Sequence, residues 1–125
     1  MEINEVSGHV VDAAMKVHTV LGPGLLEAAY RVCLAHELRK RELAVRREVR
    51  MPVRYDGVVL DFAYRIDLLV EGCVVVEIKA VSTINPVHEA QLLSQLKLGD
   101  YRVGLIINFN VARLKDGIVR KVHRL

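Results

Sequence analysis

Three charged side chains on two consecutive hydrophobic segments have the types and spacing that hydrolytic chemistry requires. Glu77 and Lys79 interrupt the apolar segment EGCVVVEIKA (residues 71–80), and Asp67 lies in the segment before it. Side chains alternate between the faces of a strand, so Glu77 and Lys79 point to the same side. Because charged groups are rarely buried unless they are paired or bind a metal, this D-x9-E-x-K pattern indicates either a reactive site or an ion triad that stabilises the fold.

The turn between the two segments decides whether the carboxylates meet. A two-residue loop at the Glu-Gly dipeptide would place Asp67 and Glu77 on opposite faces of the hairpin. A three-residue loop, residues 70–72, pairs Leu69 with Cys73 and makes Asp67 a diagonal neighbour of Glu77 on the same face. We predict the three-residue loop, or another bulge with the same effect. Opposite faces would rule out the site.

Two converging carboxylates favour a bound cation. They repel each other when both are charged in partly buried surroundings. Carboxylate oxygens suit Mg²⁺ or Mn²⁺, and Mg²⁺ typically uses one or two carboxylates together with waters and a phosphate. Lys79 beside them can orient or help to deprotonate the attacking water, or balance charge on a phosphate. The pattern therefore favours phosphodiester hydrolysis.

Two predicted helices carry further candidates. Glu27 lies in the first turn of the second helix, on a common side with Gly24 and Tyr30, although an acidic residue there also opposes the helix dipole. In the third helix Gln91 can bond a phosphate or the attacking water, and a polar stripe of this kind also fits a solvated face. The stripe consists of His88, Gln91 and Gln95.

The hydrophobic pattern predicts the elements that must position these side chains, in the order α-α-β-β-β-α-β-β. The alternation slips once near Arg47, which indicates a bulge or a late strand start, and Asp56-Gly57 predicts a two-residue hairpin. We therefore expect a mixed α/β fold in one domain over residues 1–125, with a meander of strands whose last member crosses over through a helix to a neighbouring strand. The predicted helices cover residues 3–20, 24–41 and 86–99, the last with Pro86 in its first turn.

Composition limits the classes of function. The chain has 125 residues, with 52% hydrophobic and 26% charged residues, as expected for a folded domain. Aromatic residues make up only 5%, which disfavours a platform for stacking single-stranded bases. A net charge of +3 is compatible with an anionic partner. Without a signal peptide or a run of about 18 apolar residues we expect a cytoplasmic protein with no membrane segment, and without CxxC or HExxH spacing no zinc site.

Several stretches together resemble the GxxExxY protein family, which is placed in the PD-(D/E)xK nuclease superfamily. The segment GPGLLEAAY contains Gly24-x-x-Glu27-x-x-Tyr30, the signature of that family. The likeness runs from about residue 6 to residue 122. It includes RIDLLVEGCVVVEIKAV, HEAQLLSQLKLGDY and GLIINF.

The resemblance implies a restriction-endonuclease-like core, with a metal site at one end of a central hairpin. Position 66 is Ile where the superfamily often has Pro, and position 95 is Gln where the Q-x-x-x-Y motif of RecB-like members has Tyr. By analogy the metal ligands are Asp67, Glu77 and the Ile78 carbonyl. The catalytic residues are Lys79, Glu27 and Gln91.

The leading hypothesis is a nuclease that depends on Mg²⁺ (or Mn²⁺) and hydrolyses DNA. The resemblance also implies self-association as a homodimer. The alternative is a catalytically silent or partner-activated module that binds nucleic acid or protein through the same fold, because the short chain leaves little room for a dedicated DNA clamp. If the ion triad only stabilises the fold, Lys79→Met should leave every biochemical property intact.

Overall fold

The structure, a computed structural model, describes residues 1–125 except for the side chains of residues 62 and 63. The order of helices and strands is the one that the sequence predicts. The elements are α1 (Ile3–Leu21), α2 (Glu27–Lys40), β1 (Val45–Tyr55), β2 (Val58–Val70), β3 (Val74–Lys79), α3 (Pro86–Gly99), β4 (Val103–Asn108), a short 3₁₀ helix (Leu114–Gly117) and β5 (Ile118–Val122).

The five strands form one mixed sheet in sequence order, from β1 at one edge to β5 at the other. Strands β3 and β4 run parallel, whereas the other neighbouring pairs are antiparallel. A parallel pair needs a crossover connection, and α3 supplies it, as the sequence predicts. Pro86 begins α3, and the Asn85 side chain caps it by accepting hydrogen bonds from the amides of Val87 and His88.

Helices cover both faces of the sheet and create two apolar cores. The first core lies between the sheet and the pair α1 and α2, where it includes Val10, Leu34 and Val76. The second lies between the sheet and α3, where it includes Leu92 and Val75. Strand β3 is therefore buried on both faces, which explains its nearly continuous apolar sequence.

The junction of α1 and α2 differs from the expectation. The second helix begins at Glu27, so the prediction that it starts at residue 24 is wrong, and Gly24 lies outside it with φ +101°. Tyr30 fixes this junction from inside the core. Its hydroxyl donates to the Gly22 carbonyl at 2.6 Å and accepts the Leu25 amide at 3.0 Å. Glycine suits the left-handed backbone that this turn requires.

The hairpin of β1 and β2 is long and irregular. Its turn is the predicted Asp56-Gly57, since Tyr55 pairs with Val58. The irregularity predicted near Arg47 is Glu48, which has φ +53° inside β1. The register does not change there. It shifts further along, between Met51 and Val53.

Among the described residues, no helix combines the length and the apolar composition that a membrane span requires.

Candidate active site

The turn between β2 and β3 sets the register of the site. Leu69 pairs with Val75 and Val70 with Val74, so the loop comprises residues 71–73. The predicted loop over residues 70–72, with Leu69 opposite Cys73, is therefore wrong. Asp67 and Glu77 nevertheless converge, as the site requires, since both side chains line one recess beside α3.

Asp67 lies where β2 and β3 separate. The ladder ends at the pair Leu68–Val76, and the next amide of β3, from Ile78, donates to Oδ2 of Asp67 at 2.8 Å. The other carboxylate oxygen, Oδ1, lies 3.6 Å from Nη1 of Arg31 on α2. Strand β3 and helix α2 therefore hold the Asp67 side chain from two sides.

Glu77 is a buried carboxyl group without a partner for one of its oxygens. The residue is only 9% exposed, and its Oε1 makes no hydrogen bond to the described part of the protein. Burial, the charge of Asp67 and a hydrogen bond with Asp67 raise the pKa of Glu77 to about 8, although Lys79 acts in the opposite direction. In the absence of a cation, the pair of carboxyl groups therefore retains a proton at neutral pH.

The carboxyl groups open into a recess of about 300 Å³ between the sheet and α3. Glu77 and Lys79 both face it, as the alternation of β3 predicts. Gln91 is exposed at the recess, whereas Gln95 is buried, with an Oε1 that has no partner among the described residues. The lining residues are Tyr64, Arg65, Asp67, Glu77, Lys79, Gln91 and Gln95.

The donor atoms at the recess fit a hard divalent cation. The amide of Phe109, the residue directly after β4, donates to the Lys79 carbonyl at 3.0 Å, so successive carbonyls of β3 point alternately toward and away from β4. The Ile78 carbonyl is thus directed toward Asp67, on the same side as the Ile78 amide. The carboxylates of Asp67 and Glu77 and the Ile78 carbonyl form an oxygen-only set that suits Mg²⁺ or Mn²⁺.

The set of side-chain ligands is small. In the described part of the chain, no group of three or more His, Cys, Asp or Glu side chains is placed to hold a metal. A site with two carboxylates is nevertheless typical of Mg²⁺, which completes its shell with water and substrate phosphate.

Comparison with known proteins decides the family. A family model described as PD-(D/E)XK nuclease superfamily matches residues 4–121. The chain belongs to the PD-(D/E)XK nuclease superfamily. This membership confirms the restriction-endonuclease-like fold and supports a nuclease-type function. The narrower resemblance to the GxxExxY family stays a prediction. No curated protein and no solved structure matches the chain significantly.

Two residues that the sequence singled out lie outside the recess of this PD-(D/E)XK protein. Glu27 is the first residue of α2, one helical turn before Arg31, and does not line the recess. His88 belongs to the cap of α3, because its Nδ1 accepts the Asn85 amide at 3.2 Å. The polar stripe of α3 therefore divides between a cap and the site.

Sequence reasoning missed two side chains that contribute to the site. Arg31 follows Glu27 by four residues, a spacing that places both on one face of a helix. Arg65 precedes Asp67 by two positions on β2. These intervals were visible signals, but only the docking of the helices shows which faces meet the sheet.

Proposed function

We propose that this protein is a nuclease that hydrolyses phosphodiester bonds of DNA with Mg²⁺ or Mn²⁺ as its cofactor. The observation that carries the proposal is the buried Glu77, which has an oxygen without a partner among the described residues and shares the recess with Asp67 and Lys79. A cation relieves the repulsion that otherwise leaves a proton on this pair. Without a cation or a proton, the arrangement would destabilise the fold.

One group of residues would hold the ion, and a different group would contact the substrate. Asp67, Glu77 and the Ile78 carbonyl would hold the ion, and the contacts of Asp67 with the Ile78 amide and Arg31 fix its orientation beforehand. When bound, the ion polarises the phosphate and lowers the pKa of water. Hydrolysis at neutral pH depends on both effects.

The remaining residues act on the substrate and the attacking water. The Lys79 ammonium faces the recess, where it balances the negative charge that develops on the phosphate, or orients the water. Gln91 is exposed at the recess and donates to a phosphate oxygen or to the water. Glu27 is proposed to contribute an acidic group from the start of α2, on the face from which Arg31 reaches Asp67.

Cleavage assays test this proposal. Protein stripped with EDTA receives Mg²⁺ or Mn²⁺ and is offered circular, linear and single-stranded DNA and RNA. We expect cleavage of DNA by the wild type and by Glu5→Gln, a matched variant of an exposed carboxylate, but not by Glu77→Gln or Lys79→Met. Cleavage that persists in the last two variants would come from a contaminant, and no cleavage at all would favour the alternative.

The alternative is a silent or partner-activated binding module on the same fold. The small ligand set and the Gln at position 95 favour it. Calorimetry distinguishes the two proposals, because a nuclease site binds Mg²⁺ or Mn²⁺ in the wild type and loses that binding in Asp67→Asn. Homodimer formation, a cytoplasmic location and a single domain over residues 1–125 stay predictions, and sedimentation analysis tests the first of them.

A further inference from the structure

The hairpin of β1 and β2 extends beyond the rest of the sheet. Strand β2 pairs with β3 over residues 68–70, but its pairing with β1 extends from Val70 to Val58 at the turn, with a register shift between Met51 and Val53. Residues 49–66 therefore form a two-stranded ribbon, here called the arm. Its base packs on α3 through Met51 and Ile66. Near its tip Tyr55 is 75% exposed. A two-stranded ribbon is only marginally stable by itself.

Arginines on the arm are arranged in a way that disfavours folding without an anion. The arm carries three arginines, Arg50, Arg54 and Arg65, and two aspartates, Asp56 and Asp61. Arg50 lies directly opposite Arg65 on the neighbouring strand, and like charges in that position destabilise a sheet. Charges on an edge strand do prevent aggregation, but that purpose does not require a second arginine opposite the first. A bound anion between the two guanidinium groups would remove the repulsion.

The arginines also connect the recess with the arm. Arg65 lines the recess together with Asp67 and Lys79. Its cross-strand neighbour Arg50 lines a second concave surface of about 420 Å³, where Arg54 joins it beside the end of α3. Guanidinium groups therefore follow one path from the carboxylates to the outer part of the arm. Their planar donors match phosphate oxygens in pairs.

We propose that the arm binds double-stranded DNA, with its ribbon in the major groove and its arginines on the flanking phosphates. The inference deepens the proposed function, since it names the form of the substrate. The major groove of B-form DNA, about 12 Å wide, admits a two-stranded ribbon, whereas the major groove of duplex RNA is too narrow for side chains to read. Single strands are bound by stacking on aromatic side chains, of which this chain has few.

Binding without metal tests the arm separately from catalysis. Fluorescence anisotropy in EDTA follows the whole protein on a labelled DNA duplex of about 20 base pairs, which exceeds one helical turn, and on the matching single strand and RNA duplex. We expect the DNA duplex to bind most tightly. Arg50→Ala/Arg54→Ala should weaken this binding about tenfold or more and reduce the slope of log affinity against log salt by about 2. Arg50→Lys/Arg54→Lys should retain most of the affinity.

Matched controls separate the arm from charge in general. Arg102→Ala/Arg124→Ala removes two exposed arginines beside β4 and β5 and should bind DNA like the wild type. Because removal of Arg50 ends a like-charge contact, its alanine variant should melt no earlier than the wild type, so weak binding would not reflect unfolding. Equal binding by the arm variant and the wild type, or tighter binding of the single strand, would overturn the inference.

Failure of the arm and failure of the nuclease have different signatures. If no substrate is cleaved but the arm variant loses DNA binding while Lys79→Met keeps it, the arm inference holds and the nuclease proposal fails. If DNA is cleaved but the arm variant binds and cleaves like the wild type, the nuclease proposal holds and the arm inference fails.

Discussion

Replacing Glu77 by glutamine should stabilise the metal-free protein, and more so as the pH rises. Burial and the neighbouring Asp67 raise the pKa of Glu77 from an ordinary 4.5 to about 8. Between these two values the native state binds more protons than the unfolded state, so the free energy of unfolding falls as the pH rises. Glutamine has nearly the same shape and carries no charge at any pH. The free energy of unfolding of the variant therefore does not fall with rising pH for this reason.

The size of the effect follows from the shift of the pKa. Because one pKa unit corresponds to about 1.4 kcal/mol, ionisation of Glu77 lowers the free energy of unfolding by roughly 5 kcal/mol once the pH exceeds about 8. The same calculation gives a loss of roughly 3 kcal/mol at pH 7 and under about 1 kcal/mol at pH 5. The difference in free energy of unfolding between Glu77→Gln and the wild type should exceed its value at low pH by these amounts.

Urea unfolding followed by circular dichroism measures this gain at pH 5, 7 and 9 in EDTA. Glu5→Gln, at an exposed position, controls for the loss of a carboxylate and should show no such trend. Saturating Mg²⁺ should then stabilise the wild type by about 2.7 kcal/mol at a hundredfold excess over its Kd, and should leave Glu77→Gln unchanged. A difference between wild type and variant that does not vary with pH would refute the reasoning.

Three further variants test other parts of the structure. Asp67→Asn should abolish the binding of Mg²⁺ and Mn²⁺ in calorimetry, while its circular dichroism spectrum stays that of the wild type. Gln95→Met replaces a buried amide whose Oε1 has no partner in the described part of the chain and should raise the free energy of unfolding by about 1 kcal/mol, as urea unfolding would show. Tyr30→Phe removes the hydroxyl that bonds both the Gly22 carbonyl and the Leu25 amide. It should lower the free energy of unfolding by about 1–3 kcal/mol, again measured by urea unfolding.

Elements with strong local signals could be predicted from the sequence, whereas the register of the central hairpin could not. Pro86 and the apolar spacing after it fix α3, and Asp56-Gly57 fixes its own turn, because neighbouring residues decide both. The loop over residues 71–73 depends instead on Glu71, which has a left-handed backbone at φ +53° although it lacks the conformational freedom of glycine. Its amide and its carboxylate both bond to Ala44, at 2.8 and 2.7 Å. A contact with a residue 27 positions earlier in the sequence thus sets the register of the hairpin.

The candidate site likewise contains residues that could be predicted from the sequence and residues that could not. Glu77 and Lys79 are predictable because alternation along a single strand assigns both to one face. The approach of Asp67 to Glu77 depends in addition on the register of the hairpin and on the exchange of faces at Asp67. Arg31 was not predictable, since its contact with Asp67 depends on how α2 docks against the sheet. The start of α2 at Glu27, three residues later than the pattern suggests, illustrates the same limit of local information.

One irregularity of the backbone accounts for both the site and the arm. Leu68 packs in the core under α1 and α2, whereas Ile66, two residues away on the same strand, packs in the core under α3. Regular alternation would place both on one face. The hairpin therefore exchanges its faces at Asp67, and Glu48, which lies opposite between two regular pairs, has a left-handed backbone at φ +53°. This exchange separates β2 from β3, so that the Ile78 amide meets the Asp67 side chain instead of a strand carbonyl. Beyond the same point β2 has β1 alone as its partner, and the arm begins.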